Sequence, residues 1–419
     1  MLEVDSMEFV VYLTFRCNFK CDMCTQGSEF RENLISELSA AEWDILFDSL
    51  TKKIEHPRIV FMGGEPLLHK DFDSIIINAW KKGIYPHVIT NGYFLDNHLD
   101  TILKTNTGLT ISVHGLENTQ NSLTHTKDSF SKTIKILEKI KSSKSYGRKI
   151  FCRVNSVILP DNIDEAIQFT EFFEQFNLTD LVLNHPRYTS YQTEEETLKI
   201  CNNLGLNSPQ KLHLHTNKDY IFNDEYINKV NEFFNFINKK YKGRKVVEYP
   251  AFSEQERRAY YNEKEVRKIR GVSRLCVSPW NVPFILPNGE VATCLYSTCG
   301  NFTKQDFWDI WNGKKAEILR NELIQNGCLP SCKRCTCFYD AHYLHAENGI
   351  VNLKDGRKLV LDKEMTMLLP SSDGYFVFDI DRKSQDESIP VIAMPFQNEK
   401  QKRHIENCEK IIAKFSDMV

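Results

Sequence analysis

No stretch of the 419-residue chain stays apolar for the roughly 18 residues that a membrane-spanning helix needs, so no such helix is expected. The opening decapeptide, MLEVDSMEFV, has neither a basic n-region nor an apolar core, so no secretion signal is expected either. Charge of one sign is scarce. The net formal charge is −3, which gives no surface suited to a polyanion and argues against a nucleic-acid partner. Cysteine is not scarce, at thirteen residues. Without a secretion signal these read as metal ligands or reactive thiols, not as a disulfide framework, and they place the chain in a reducing cytoplasm. A hydrophobic fraction of 41% with 26% charged residues is ordinary globular composition. The length allows about two or three domains.

The first cysteines come early. FRCNFKCDMC, residues 15–24, spaces Cys17, Cys21 and Cys24 as C-x3-C-x2-C. Tetrahedral metal sites and ordinary [4Fe–4S] clusters take four protein ligands. No fourth cysteine follows until Cys152, so the motif leaves one position open.

The N-terminal half alternates. Strand-like runs lie at 8–15, 58–62, 85–90, 109–114, 149–158 and 180–184. Between them, helical periodicity covers 39–54, 71–83, 95–105, 129–143 and 161–176. Ser39 with Glu42 forms a capping box for the first helix, and Asp161 is the expected cap of the fifth. Nearly continuous apolar strands separated by amphipathic helices predict a parallel sheet with crossover helices. Such sheets bind ligands beyond the carboxyl ends of their strands. The cysteine loop follows the first strand. GGEP (63–66) follows the second, bringing Gly63, Gly64 and the Glu65 carboxylate; alone it would be a turn. NGY (91–93) follows the third. Ser112 and His114 end the fourth, and Arg153 and Asn155 lie on the fifth.

With CNFKCDMC, FMGGEPLL, VITNGYFL, ISVHGLENTQNSLTHTKDSFSKTIKIL and RVNSVILPDNIDEAIQF in this order, the chain resembles the radical S-adenosylmethionine (SAM) superfamily over roughly 8–185. The resemblance implies a partial (β/α)6 barrel and the following roles. Cys17, Cys21 and Cys24 hold three irons of a [4Fe–4S] cluster. SAM fills the open iron through its amino nitrogen and carboxylate. One electron, from a donor such as flavodoxin or ferredoxin, cleaves the sulfonium, and the 5′-deoxyadenosyl radical abstracts a substrate hydrogen. Glu65 accepts from the SAM amino group, Gly63 and Gly64 clear space, Ser112 contacts ribose, and Asn155 or Arg153 faces the sugar or the carboxylate. The family places an aromatic residue against adenine just before the third cysteine; here it is Met23, whose thioether can also pack on a ring. His114 stands where many relatives have Asp, with substrate contact and a structural role both open.

Later, LCVSPWNVPFILPNGEVATC (275–294) reads as a hairpin turning at Asn288–Gly289, which folds Cys294 back beside Cys276. CLPSCKRCTC (328–337) adds four cysteines. By chemistry alone the metal is zinc or iron–sulfur. The spacing C-x12-G-x4-C, the 300–323 helix and the late C-x2-C resemble the twitch and SPASM auxiliary-cluster regions of the same superfamily. The resemblance implies one auxiliary [4Fe–4S] cluster on Cys276, Cys294, Cys332 and Cys335. It leaves Cys299, Cys328 and Cys337 as replacements or partial ligands of a second cluster. Cys299 and Cys337 are also hydrogen-donor candidates, as in epimerases of this superfamily; an inert buried thiol is the alternative.

The expected architecture is α/β. A partial barrel spans 1–215, a connecting helical segment 216–274, a hairpin-and-helix auxiliary-cluster domain 275–339, and an α+β extension of unassigned role 340–419. In the connecting segment, 253–271 alternates charge sign and reads as a solvated helical face. The substrate is expected to be a small polar molecule (sugar, aminocyclitol or nucleoside) that is oxidised or epimerised. The first strand begins about eight residues in, leaving no room for a leader-binding module and disfavouring a ribosomal peptide. Edge pairing by the C-terminal strands keeps the peptide open. Activation of another enzyme is a third option, and a zinc- or SAM-binding paralogue without turnover is the non-enzyme alternative.

Overall fold

The computed structural model describes residues 7–25, 35–142, 151–176, 178–206, 219–241, 245–262, 278–326 and 328–335, and the backbone of four short strands between 349 and 377. Its centre is a ten-stranded sheet in the order β10-β9-β8-β1-β2-β3-β4-β5-β6-β7. Seven parallel strands run in sequence order: β1 (Glu8–Thr14), β2 (Arg58–Gly63), β3 (Tyr85–Thr90), β4 (Gly108–Ser112), β5 (Cys152–Val157), β6 (Asp180–Asn184) and β7 (Val246–Tyr249). The short β8 (Phe284–Ile285) pairs parallel with β1 on its other side. From β8 a Gly289 turn leads antiparallel into β9 (Glu290–Cys294), and β10 (Ser297–Asn301) closes the edge. The hairpin read from Asn288–Gly289 is therefore present.

β1 explains why its sequence is a continuous apolar run. Phe9, Val11 and Leu13 enter the core beneath the crossover helices, while Val10 and Tyr12 enter a second core with Phe284 and Cys332. Both faces are buried, so alternation disappears. The Ser39–Glu42 capping box is formed, and its helix Ala40–Thr51 buries Trp43, Leu46, Phe47 and Leu50.

Three expectations change. The parallel sheet continues past 215, because the four residues of β7 pair with β6. The fifth crossover helix is not capped by Asp161: it begins at Ala166 after a single 3-10 turn, Ile163–Glu165. Asn162 instead ties the preceding loop together, accepting from the Leu159 amide at 2.7 Å and donating to the His114 and Val157 carbonyls at 2.6 and 2.8 Å. Finally, the 253–271 stretch does not start as a solvated face. Helix Glu254–Tyr261 buries Arg257, Tyr260 and Tyr261, and Arg257 makes a two-bond pair with buried Glu248 at 2.6 and 2.8 Å. Residues 263–277 lie outside the described set.

Beyond residue 335, β11 (Gly349–Asn352) pairs antiparallel with β12 (Lys358–Leu361), and β13 (Leu368–Ser371) with β14 (Gly374–Val377). The expected strand PVIAMPF and the expected closing helix 399–415 lie outside the described residues. Among those residues no helix is long and apolar enough to cross a membrane.

Candidate active site

The carboxyl ends of the parallel strands surround a cavity of about 690 Å³, within the range of pockets that hold small ligands. Cys17, Cys21 and Cys24 line it, with Met23, Gly63, Gly64, Ser112, His114, Arg153 and Asn155. The cysteine loop and the strand ends meet because β1 lies beside β2 and its loop is bonded to the turn after β3 and to the helix after β4.

That loop is held by its neighbours. The Asp22 and Lys20 amides donate to the Leu123 and Thr124 carbonyls of the helix Glu117–Leu123 and its cap, at 3.0 and 3.4 Å. Asn91 Nδ2 donates to Asn18 Oδ1 at 2.9 Å, and the Phe19 and Tyr93 rings meet edge-on at 5.5 Å. Met23 is buried with Leu123 and Leu159 while still lining the cavity.

The glycines, which line the cavity, also have a structural role. A Cβ on Gly63 would sit 2.1 Å from the Thr14 carbonyl oxygen, and one on Gly64 2.3 Å from that of Arg16. Their absence lets the Gly64 and Glu65 amides donate to the Thr14 and Arg16 carbonyls, both at 2.8 Å. The turn after β2 is thereby pinned to the chain entering the cysteine loop.

Glu65 is fully buried and is not among the residues lining the cavity. Its carboxylate accepts from the Thr90 hydroxyl at 2.7 Å, the Asn91 amide at 2.8 Å and the Leu67 amide at 3.1 Å. These bonds tie together the turns around the site. Burial pushes this carboxyl up to about 7, although all three hydrogen bonds pull it down.

Arg153 is also committed, through two bonds to Asp180 at 2.6 and 2.7 Å. Bidentate pairing of this kind fixes a guanidinium in place. His114 is buried, and burial pushes its pKa down to about 4, so the ring is neutral. Its Nδ1 accepts from the Val157 amide at 3.2 Å, which puts the ring proton on Nε2.

Among the described residues, four buried polar atoms of the cavity lining have no hydrogen-bond partner: Gln120 Nε2, Asn155 Oδ1, Tyr249 Oη and Ser278 Oγ. Buried polar atoms are normally paired, so an unpaired set around one cavity is what a polar ligand would satisfy. Among the described residues no three metal-binding side chains converge tightly enough for a single ion. The donor set and the unpaired polar atoms thus fit a SAM-bound cluster.

The later cysteines separate. Cys332 is part of the second core, and Cys294, Cys328 and Cys335 pack against that core. Cys299 does not join them. It belongs to the other core, with its thiol on Thr293 Oγ1 at 3.7 Å, and burial pushes that thiol up. It does not line the cavity, so the structure gives the hydrogen-donor candidate Cys299 a packing place. Cys276 and Cys337 lie outside the described residues. Cys152 and Cys201 are buried thiols, pushed up to about 12 and about 11 by burial.

Sequence reasoning missed Gln120, Asn162, Tyr249 and Ser278. Tyr249 ends VVEY, an apolar run short enough to be passed over between two helices. The other three carry no spacing signal.

The radical SAM superfamily model matches residues 11–173, and a model of an iron–sulfur cluster-binding domain, SPASM, matches residues 276–336. GTP 3′,8-cyclase of Aquifex aeolicus is 30% identical over 175 residues, covering 40% of this chain and 53% of that protein. An S-adenosylmethionine-dependent nucleotide dehydratase of Selenomonas ruminantium is 31% identical over 87 residues, 21% of this chain and 30% of that one. The matched segments thus span about half or less of these relatives. Among solved structures, Streptococcus suis SuiB bound to S-adenosylmethionine superposes with a TM-score of 0.52 at 15% identity, covering 79% of this chain and 72% of that one. anSMEcpe with bound AdoMet and a Kp18Cys peptide gives 0.53 at 14% identity over 98% and 99%. At these identities the structures show a shared fold. The cofactors that go with the matched domains are a [4Fe–4S] cluster with SAM and auxiliary iron–sulfur. The chain carries a radical SAM superfamily domain over residues 11–173 and a SPASM-type iron–sulfur cluster-binding domain over residues 276–336.

Proposed function

We propose that this chain is an oxidoreductase acting on a small polar, nucleotide- or sugar-like molecule bound in the strand-end cavity. The observation that carries this reading is the set of four buried, unpartnered polar atoms around one cavity shared with Cys17, Cys21 and Cys24. When bound, the cluster and SAM supply a 5′-deoxyadenosyl radical, the cofactor bearing the difficult chemistry. The protein's part is placement. Cys17, Cys21 and Cys24 are the proposed cluster ligands, on a loop clamped between the turn after β3 and the helix after β4. Ser112 and Asn155, paired in register on β4 and β5, offer a hydroxyl and an unpaired amide oxygen on the same wall. Tyr249 and Ser278 offer hydroxyls from β7 and the segment before β8. Cys294, Cys332 and Cys335, with Cys276, are the proposed auxiliary ligands, and the auxiliary cluster would accept the electron when a substrate radical is oxidised. The packing of Cys328 beside them makes it the first substitute.

The two curated relatives named above carry nucleotide chemistry in their names, which supports a substrate of that size and polarity. With Cys299 held in a core, oxidation is favoured over epimerisation through that thiol. The test is deuterium transfer. Reduced, reconstituted protein is incubated with SAM and ring-deuterated nucleosides, nucleotides and sugars, and 5′-deoxyadenosine is examined for deuterium. Label from one of these supports the reading. Label arising only from a deuterated peptide would replace it with peptide maturation.

A further inference from the structure

The turn that joins β9 to β10 is Leu295–Tyr296. Two-residue hairpin turns usually carry Asn, Asp or Gly and face water. Here both residues are buried, Tyr296 at 3% exposure. The turn is pressed into the second core, where Tyr296 packs in the group that contains Cys332 and is flanked by Cys294, Cys328 and Cys335. The ring therefore sits among the thiols of the proposed auxiliary site.

Among the described residues its hydroxyl, shut away from solvent, makes no hydrogen bond of full geometry, although Ser331 stands close enough to act on it. Ser331 is the neighbouring hydroxyl, and its oxygen is already 2.8 Å from Thr197 Oγ1. The charges of Cys294 and Cys335 both reach the phenol. Leaving a buried hydroxyl unpaired is costly, so an acceptor belongs there. Sulfur of a thiolate or of a cluster is an acceptor of the right place and polarity.

We propose that the Tyr296 hydroxyl donates a hydrogen bond to the sulfur of the auxiliary cluster or of its Cys294 or Cys335 ligand, and so raises the reduction potential of that cluster. This rests on the reading that the site holds an iron–sulfur cluster. Hydrogen bonds to sulfur favour the reduced, more negatively charged cluster. Tyr296 is thus a positioning residue for an electron, making the auxiliary cluster a better acceptor.

The experiment is an anaerobic redox titration followed by EPR, on the full chain with Cys17, Cys21 and Cys24 changed to Ala so that only the auxiliary signal remains. Tyr296→Phe is compared with Tyr296, and with 3-fluorotyrosine at the same position as a stronger donor of similar size. The expected result is a reduced-to-oxidised ratio lowered about tenfold at fixed potential in the Phe variant, about 59 mV for one electron. The fluorinated residue should move the midpoint upward. Equal midpoints in all three proteins, with equal iron, would overturn the proposal. So would a fluorotyrosine midpoint equal to that of Tyr296 if the Phe variant failed to hold iron. Absence of auxiliary iron even with Tyr296 present would instead overturn the reading on which the proposal rests.

Discussion

The Glu65 carboxylate accepts the backbone N–H of Asn91 at 2.8 Å, tying the turn after β2 to the turn after β3. Together with Thr90 and Leu67 this gives one carboxylate three donors, none of them a ligand. Glu65→Gln must turn an amide N–H₂ toward at least one of these donors. A buried donor left unpaired costs about 1–3 kcal/mol. Anaerobic urea unfolding should show a loss of that size, with weaker SAM binding in consequence. Unchanged stability would mean that the turns hold themselves.

The same carboxyl gives a pH dependence. Its folded-state pKa, about 7, lies above the ordinary 4.5, so the folded protein holds the proton more tightly than the unfolded chain. The stabilisation it contributes is complete below pH 4.5 and is lost as pH rises through about 7. Wild-type unfolding free energy should therefore fall between about pH 5 and 8, and that part of the slope should vanish in Glu65→Gln. Parallel pH profiles would contradict the assignment.

Gly64→Ala tests the close approach of two chain segments. Its Cβ would meet the carbonyl oxygens of Arg16 and Phe15 at 2.3 and 2.5 Å, both backbone atoms that cannot swing aside. The cysteine loop should be displaced, and the variant should lose about half of its iron while keeping its helical content. Full iron with unperturbed SAM binding would show that the loop tolerates the shift.

Arg257 lies under the β6–β7 end of the sheet. Burial pushes Glu248 up, but the bonds from Arg257 and from His185, the latter at 3.0 Å, override it and hold the carboxyl at about 2. Removing one partner of a buried pair strands the other, at about 3–5 kcal/mol. Arg257→Met should show a destabilisation of that order in urea, and a double variant with Glu248→Gln should recover part of it. A neutral single variant would mean that Glu248 finds another donor.

Tyr249→Phe and Ser278→Ala each remove a hydroxyl that bonds nothing among the described residues. Stability and substrate-free SAM cleavage should stay as in wild type, while KM for the deuterium-donating substrate rises about fivefold to tenfold per hydroxyl, as for a lost hydrogen bond of about 1–1.5 kcal/mol. A drop in SAM cleavage instead would place these hydroxyls on the SAM side of the cavity.

Much of this was legible in the residues. Strand ends at Thr90 and Asn184 fall where the apolar runs stop, and the Ser39–Glu42 box is formed, because both signals are local. The cysteine loop was legible because a ligand motif must keep its spacing. What escaped depends on the third dimension. Nothing in GGEP says that Glu65 is buried against Thr90 and Asn91, or that its glycines make room for the Thr14 and Arg16 carbonyls. Arg257 sits in a stretch of alternating charge, and only Glu248 across the helix–strand contact makes its burial possible. Cys299 and Cys294 are five residues apart, yet strand pleating and a bulge send them to opposite cores.

The central claim is that two separate cysteine sets hold two separate clusters, with only the first engaging SAM. Iron and sulfide per chain, with EPR of the reduced protein with and without SAM, test it in wild type and in the Cys17, Cys21 and Cys24 triple alanine variant. The account predicts about eight irons in wild type and about four in the variant, with a SAM-shifted signal in wild type alone. Four irons that disappear completely in the variant, or a SAM-shifted signal that survives it, would contradict the account.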